Sequence, residues 1–181
     1  TVPTVFGALL NIPVGNADIS SVRYGFTGGA PLPTEVGKAL MKTLGKPLLE
    51  GYGMTETTSF VTMLPRDGKP AVGSAGIVLP HCQVRTVALD DDGQVLRDCE
   101  IDEIGVVLMG GAGITPGYVQ EQYNEGAILA DGWLNSGDLG RFDSDGLLWL
   151  TGRAKDLIIR GGHNIDPAVI EETLHQHEAV E

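Results

Sequence analysis

The stretch Leu49-Glu50-Gly51-Tyr52-Gly53-Met54-Thr55-Glu56 sets an aromatic ring between two glycines and follows it with a hydroxyl and a carboxylate. Such a segment can lay Tyr52 against a flat purine face. Gly53 would let the backbone come close, Thr55 can donate to a phosphate oxygen, and Glu56 can hold a divalent cation beside that phosphate. The same residues equally suit a strand-to-helix turn capped by Thr55 and Glu56. Spacing alone leaves both readings open. Further along, Asp131-Gly132-Trp133-Leu134-Asn135-Ser136-Gly137-Asp138-Leu139 places a carboxylate, Asp138, where it can accept both hydroxyls of a ribose. Arg153 can be a second sugar or phosphate contact, or an exposed ion-pair partner of small energetic weight. The turn Gly28-Gly29-Ala30-Pro31 is read as either a plain glycine turn or the border of a ligand.

The elements that must position these residues follow from periodicity. Ser21 to Thr27 alternates as a strand and stops at Gly28-Gly29. Val36, Leu40 and Leu44 fall on one face of a helix opened by Pro33 and Thr34 and stopped by Gly45 and Pro47. Leu48 to Glu50 reads as a short buried strand running into the Gly51-Tyr52-Gly53 loop. Strand, glycine turn, helix and strand in this order predict an α/β layer whose strand ends carry a ligand crevice. After about Ala71 the pattern changes to short, closely spaced strands: Gln83 to Leu89, Ile104 to Met109, Trp133 to Ser136, Asp138 to Phe142 and Leu147 to Thr151. That spacing predicts a small antiparallel sheet or a β-barrel-like subdomain. Asp90-Asp91-Asp92-Gly93 reads as a solvated hairpin tip rather than a cation site. Leu157 to Ile159 is a further strand, and Asp166-Pro167 opens a last helix. The expected division is 1–71 (α/β), 72–152 (β-rich) and 153–181, with a boundary near Arg153 to Asp156.

Composition narrows the function classes. Glycine supplies 26 of the 181 residues, about twice the ordinary share of roughly 7%, and without a period it marks loops rather than a collagen or solenoid. A formal net charge of −12 with no Lys/Arg cluster excludes a nucleic-acid partner, although backbone N–H groups can still bind a small anionic ligand. Cys82 and Cys99 form neither a metal pair nor a redox CxxC, so they are expected as free thiols of the reducing cytoplasm. No apolar run reaches the length of an integral membrane segment, and no basic leader is visible. A start at Thr1, in mid-pattern, suggests a piece of a longer protein.

The ordered set of motifs resembles a known superfamily. Thr27-Gly28-Gly29-Ala30-Pro31-Leu32, Gly51-Tyr52-Gly53-Met54-Thr55-Glu56, Gly105 to Gly117-Tyr118, Gly132 to Leu139, and Gly152-Arg153-Ala154-Lys155-Asp156 through Glu171 are similar to the successive core motifs of adenylate-forming (AMP-binding) enzymes. Five strings in that order span nearly the whole chain. The resemblance implies the distal part of the large N-terminal domain and the start of the small α+β C-terminal domain. It also implies roles. Gly28, Gly29, Ala30 and Pro31 would border an adenine, and Tyr52, between Gly51 and Gly53-Met54, would stack on it. Thr55 would contact the adenylate phosphate, Glu56 would help hold Mg²⁺, and Asp138 and Arg153 would meet the ribose. Lys155 falls at the hinge. Gly161 and Gly162, in Arg160-Gly161-Gly162-His163-Asn164, would swing inward for the second half-reaction, by which coenzyme A accepts the acyl group.

The Lys155-to-Pro167 stretch looks like the acyl- and aryl-CoA ligase version. An acyl-CoA synthetase using a small-molecule carboxylic acid, ATP (held as AMP after the first step) and coenzyme A is therefore expected. A ligase loading a carrier protein and a non-catalytic nucleotide-binding scaffold are the rival readings. The 181 residues hold no Ser/Thr/Gly-rich phosphate loop with a lysine, and the family's C-terminal catalytic lysine would lie beyond Glu181. The chain by itself is expected to be inactive. Val2 to Leu10 and the residues after Glu56 are apolar enough to line an acyl pocket or simply to fill a core.

Overall fold

The computed structural model describes residues 1–12, 18–69, 71–90, 92–156, 158–160, 163–165 and 167–175. Helix α1 (Pro3–Leu10) begins with proline at its first turn, where a missing N–H costs nothing. Helix α2 (Thr34–Leu44) follows the expected face: Leu40 is 1% exposed and packs with Phe6, Leu32 and Leu48, flanked by Val36 and Leu44. Glu35 lies in its first turn and Lys42 in its last, the signs that complement the helix dipole.

Strands β1 (Gly25–Gly28), β2 (Leu48–Met54), β3 (Ser59–Met63) and β4 (Ile77–Val78) form one sheet in chain order. β1 and β2 are parallel, so they need the α2 crossover, while β3 and β4 join antiparallel. The Gly51-Tyr52-Gly53 segment, expected as a loop, is instead the second half of β2. Its backbone is held on both sides, Gly51 opposite Gly28 on β1 and Tyr52 opposite Thr62 on β3. A glycine-flanked aromatic reads as loop from composition, but two ladders outweigh that preference. The SFVTM run after Glu56 is β3, and Val2 to Leu10 supplies α1; the sequence reading had assigned neither an element.

β5 (Cys82–Leu89), β6 (Val95–Asp98), β7 (Gly105–Gly111), β8 (Leu134–Phe142) and β9 (Leu148–Arg153) form an antiparallel sheet in the order β6-β5-β7-β8-β9. Of the two forms left open, sheet or barrel, the described residues take the sheet. Trp133 to Ser136 and Asp138 to Phe142, expected as two strands, are one: β8 runs through Gly137 with a register shift opposite Val106/Leu108. The hairpin tip at Asp90 is as expected, its Oδ1 accepting from the N–H groups of Asp92 and Gln94 at 3.0 and 2.8 Å; Asp91 lies outside the described residues. A short hairpin, β10 (Ile158–Arg160) with β11 (His163–Ile165), and helix α3 (Pro167–His175) are the last elements among the described residues. Leu157 and Asp166, named in the sequence reading, also lie outside the described residues.

The segment Ser74-Ala75-Gly76 joins the two larger sheets. Ala75 N–H donates to the Leu148 carbonyl (2.8 Å), Leu148 N–H donates to the Gly76 carbonyl (2.9 Å), and the Ser74 hydroxyl donates to the Leu148 carbonyl (2.9 Å). Around this seam Val61, Ala75, Val107, Met109, Leu134 and Leu148 form one buried cluster drawn from both sheets. Gly76 has φ +88°, and a Cβ there would lie 2.0 Å from the Met63 carbonyl carbon. Gly76→Ala therefore combines left-handed strain with backbone overlap and is expected to cost at least about 3 kcal/mol. Gly93→Ala, at φ +77° with open space around it, should cost only about 1–2 kcal/mol. Urea denaturation of the two variants checks the difference, and equal midpoints would remove the seam as a constraint.

Candidate functional site

The C-terminal ends of the parallel strands β1 and β2 carry the first group of candidate residues. Gly28 ends β1 opposite Gly51, and the Gly29-Ala30-Pro31 turn leaves from that edge. Tyr52 lies within β2, and Thr55, Glu56 and Thr57 form a single 3-10 turn directly after it. This turn is closed from inside by Thr57, 5% exposed, whose hydroxyl accepts from Met54 N–H (3.0 Å) and donates to the Ser59 carbonyl (2.6 Å). Thr55 is exposed and Glu56 half-buried. The close approach that Gly53 permits is to its own neighbour: a Cβ at Gly53 would lie 2.0 Å from the Ser59 carbonyl oxygen. Similarly, the space above Gly28 is taken by Phe60, whose Cε1 would lie 2.5 Å from an added Cβ. These glycines are demanded by strand packing, a reason composition could not distinguish from ligand approach.

Asp138 comes to this group from the other sheet. It is 8% exposed, and both carboxylate oxygens have partners. The Tyr52 hydroxyl donates to Oδ2 at 2.5 Å, and Arg153 Nε lies 3.2 Å from Oδ1. Arg153 reaches it because β9 pairs with β8 in a register that sets Arg153 directly opposite Asp138. The strand around Asp138 is bulged, and its own side chains satisfy the backbone that the ladder leaves unpaired. Ser136 Oγ donates to the Val107 carbonyl (2.7 Å) and accepts from Asp138 N–H (3.0 Å), while Asn135 Oδ1 accepts from Gly137 N–H (3.0 Å). The Asn-Ser-Gly-Asp string thus builds a rigid mount for one carboxylate.

A buried carboxylate is tolerated only when its lost hydration is replaced, and the phenol and guanidinium do this here. The Tyr52 hydroxyl is pushed well above the ordinary tyrosine range, first by burial and then by the adjacent Asp138 charge. Tyr118 is raised too, chiefly by donating to Glu56 Oε1 at 2.7 Å. Lys155 sits exposed in the turn after β9, where Asp156 N–H donates back to the Arg153 carbonyl at 3.0 Å. Gly161 and Gly162 lie outside the described residues.

The structure therefore gathers Tyr52, by a hydrogen bond, and Arg153, by an ion pair, on Asp138, with Thr55 and Glu56 at the end of the same strand as Tyr52. Sequence reasoning missed Tyr118 as the partner of Glu56. The only signal was an aromatic residue after Gly117 in a motif string, and nothing in the spacing links it to a residue 62 positions earlier. Among the described residues no group of three or more His, Cys, Asp or Glu side chains is placed to hold a metal. Glu56 alone fits a cation bound mostly by phosphate oxygens and water, as Mg²⁺ is in nucleotide sites. Cys82 and Cys99 are unpaired, as expected. No helix of the described residues is long and apolar enough to cross a membrane.

The parallel β-α-β unit and the five-stranded antiparallel sheet bonded to it match solved adenylate-forming enzymes over nearly the whole chain. The chain belongs to the AMP-binding enzyme family, whose pattern matches residues 1–119. It is 50% identical over 179 residues to a marinolic acid–CoA ligase of a Pseudoalteromonas species, covering 99% of this chain and 27% of that protein. A Bacillus subtilis long-chain-fatty-acid–CoA ligase is 34% identical over 180 residues, covering 99% and 31%. Among solved structures, the O-succinylbenzoate coenzyme A synthetase of Bacillus subtilis, in complex with ATP and magnesium, matches at a TM-score of 0.82 and 36% identity, covering 100% of this chain and 36% of that one. ATP-bound MatB from Rhodopseudomonas palustris matches at 0.88 and 30%, covering 97% and 34%. The chain thus spans about a third of the length of the relatives it matches.

The Tyr52–Asp138 pair can be read by titration. A folded-state pKa above the unfolded value means that this phenol's contribution to stability is intact below about pH 10 and lost above it. In ultraviolet tyrosinate titration, Tyr52→Phe should remove the latest transition. Asp138→Asn should bring that transition to lower pH while burial keeps it above the ordinary range. A Tyr52 transition unmoved by Asp138→Asn would separate the two groups.

Proposed function

We propose that the protein carrying this chain activates a carboxylic acid with ATP and transfers the acyl group to coenzyme A. The observation that carries this reading is the convergence of Tyr52 and Arg153 on the buried Asp138, 2.5 and 3.2 Å from its two oxygens, beside the Thr55-Glu56 turn. A carboxylate mounted this way suits a ribose diol, because two hydroxyl donors can replace two protein donors without a new desolvation cost. Gly28, Gly29, Ala30 and Pro31 border the adenine, and the Tyr52 ring in Gly51-Tyr52-Gly53-Met54 covers its face. Thr55 would donate to the α-phosphate, and Glu56 would be the residue that holds Mg²⁺. The bound cation supplies screening of phosphate charge.

In the first step a carboxylate oxygen attacks the α-phosphorus, the bond to the β-phosphate oxygen breaks, and pyrophosphate leaves with those electrons. In the second, the coenzyme A thiolate attacks the acyl carbonyl carbon and AMP is expelled. The division 1–71, 72–152 and 153–181 is part of this proposal, with Lys155 as the hinge between the steps and Gly161 and Gly162 on the thiol side. The names of the relatives, which are CoA ligases for marinolic, long-chain fatty and other acids, support a fatty or related acyl acid as substrate. Two unpaired thiols support a cytoplasmic location.

Three outcomes test the proposal. In the full-length protein, Asp138→Ala should weaken AMP binding roughly tenfold to a hundredfold by calorimetry, since a charged hydrogen-bond partner is lost; unchanged affinity would take Asp138 out of the site. Lys155→Pro, which fixes one backbone angle, should spare acyl-adenylate formation and block thioester formation, and equal loss of both would reject the hinge. The isolated 181-residue chain should release no measurable pyrophosphate from ATP and a fatty acid, because electrostatic groups of the missing kind are commonly worth about a hundredfold each.

A further inference from the structure

The Gly117-Tyr118 motif has no task in the scheme above, yet its phenol reaches the one carboxylate assigned to the cation. Tyr118 lies in the connection between β7 and β8, and Glu56 lies in the turn after β2, so each belongs to a different sheet. Two contacts fasten the connection to the turn independently of the phenol. Thr115 N–H donates to the Glu56 carbonyl (2.8 Å), and the Thr58 hydroxyl donates to the Gly113 carbonyl (2.7 Å). Tyr118 itself is held by Asn124, whose Oδ1 accepts from its N–H (2.6 Å) and whose Nδ2 donates to its carbonyl (3.3 Å). Its ring meets the edge of Tyr123 at 6.5 Å between centroids. The phenol is therefore presented by a fixed backbone, and it donates to Glu56 Oε1 at 2.7 Å.

Resting on the assignment of Glu56 to the nucleotide-bound cation, we propose that Tyr118 is a positioning residue that fixes the Glu56 carboxylate for metal binding. A glutamate side chain has three rotatable bonds, and a ligand that must be found among many rotamers binds weakly. One hydrogen bond at Oε1 orients the group while Oε2 keeps its lone pairs for a cation. Donation to a ligating carboxylate from a rigid neighbour is the outer-shell arrangement whose loss typically weakens metal affinity about 10–100-fold. A packing role accounts less well for the geometry. Tyr118 is 37% exposed, and its hydroxyl is aimed at a half-buried carboxylate.

The test is Mn²⁺ binding to the full-length protein in the presence of a non-hydrolysable ATP analogue, followed by the paramagnetic resonance of free Mn²⁺. Tyr118→Phe keeps the ring contact and should weaken Mn²⁺ binding about tenfold, with melting temperature and metal-free nucleotide affinity unchanged. Glu56→Gln should weaken it at least as much, and the double variant should bind no worse than Glu56→Gln alone, because both substitutions remove one interaction. Wild-type Mn²⁺ affinity in Tyr118→Phe, or effects that add in full in the double variant, would overturn the positioning role while leaving Glu56 at the cation. If Glu56→Gln itself binds Mn²⁺ normally, the assignment of Glu56 fails, and the role of Tyr118 fails with it.

Discussion

Tyr52 and Asp138 stand on different sheets, and their separation of 2.5 Å is set by the joint around Leu148 rather than by their own bond. A charge-assisted hydrogen bond contributes about 1.5–3 kcal/mol net, less than the ordering of two sheets would cost. The joint has more to offer. Main-chain bonds run both ways between Leu148 and the Ala75-Gly76 segment, and five buried side chains from the two sheets close around it together with Ala75. Each large aliphatic side chain buried there is worth about 1.5–3 kcal/mol, so the cluster outweighs the site several-fold. Tyr52 and Met54 pack against that same cluster. The same residue thus meets the core through its side chain and Asp138 through its hydroxyl.

With the sheets fixed, the site becomes a problem of electrostatics. A carboxylate in a place as closed as that of Asp138 loses most of its hydration, and isolated it would be strongly disfavoured. The fold answers with a phenol from β2 and a guanidinium from β9, each delivered by strand register rather than by a flexible loop. Glu56 stands at the opposite extreme. It sits on a one-turn helix that is half open to water, and its order comes from neighbours, Thr57 beneath it and the connection carrying Tyr118 beside it. One carboxylate is placed by the sheet, the other by what leans on it.

Much of this could be read in the chain, and the part that could not has a common cause. Helix α2 was visible because Val36, Leu40 and Leu44 repeat at a helical spacing and Gly45 stops them. The hairpin tip at Asp90 was visible because aspartate and glycine carry turn chemistry locally. Tyr52, Glu56, Asp138 and Arg153 were legible as candidates from residue type and motif order. Their partnership was not, because it depends on the β8–β9 register and on the β2 pairing, both of which join residues distant in sequence. The same limit hid Tyr118 from Glu56. It also turned Gly51-Tyr52-Gly53 into an apparent loop, since glycine spacing does not reveal that a neighbouring strand has come within 2.0 Å of a missing Cβ.

The hydrogen bonds that run both ways between Leu148 and Ala75-Gly76 join peptide groups, and this bears on how such a chain can change over time. A bond between main-chain N–H and C=O groups survives replacement of nearly any side chain that preserves volume, so the surrounding residues are free to drift. The 0.88 overlay with a structure that shares only 30% of its residues fits this picture. Gly76, pressed against the Met63–Leu64 peptide, is the exception. Divergence among such proteins should thus be generous around the joint and nearly forbidden at that one position.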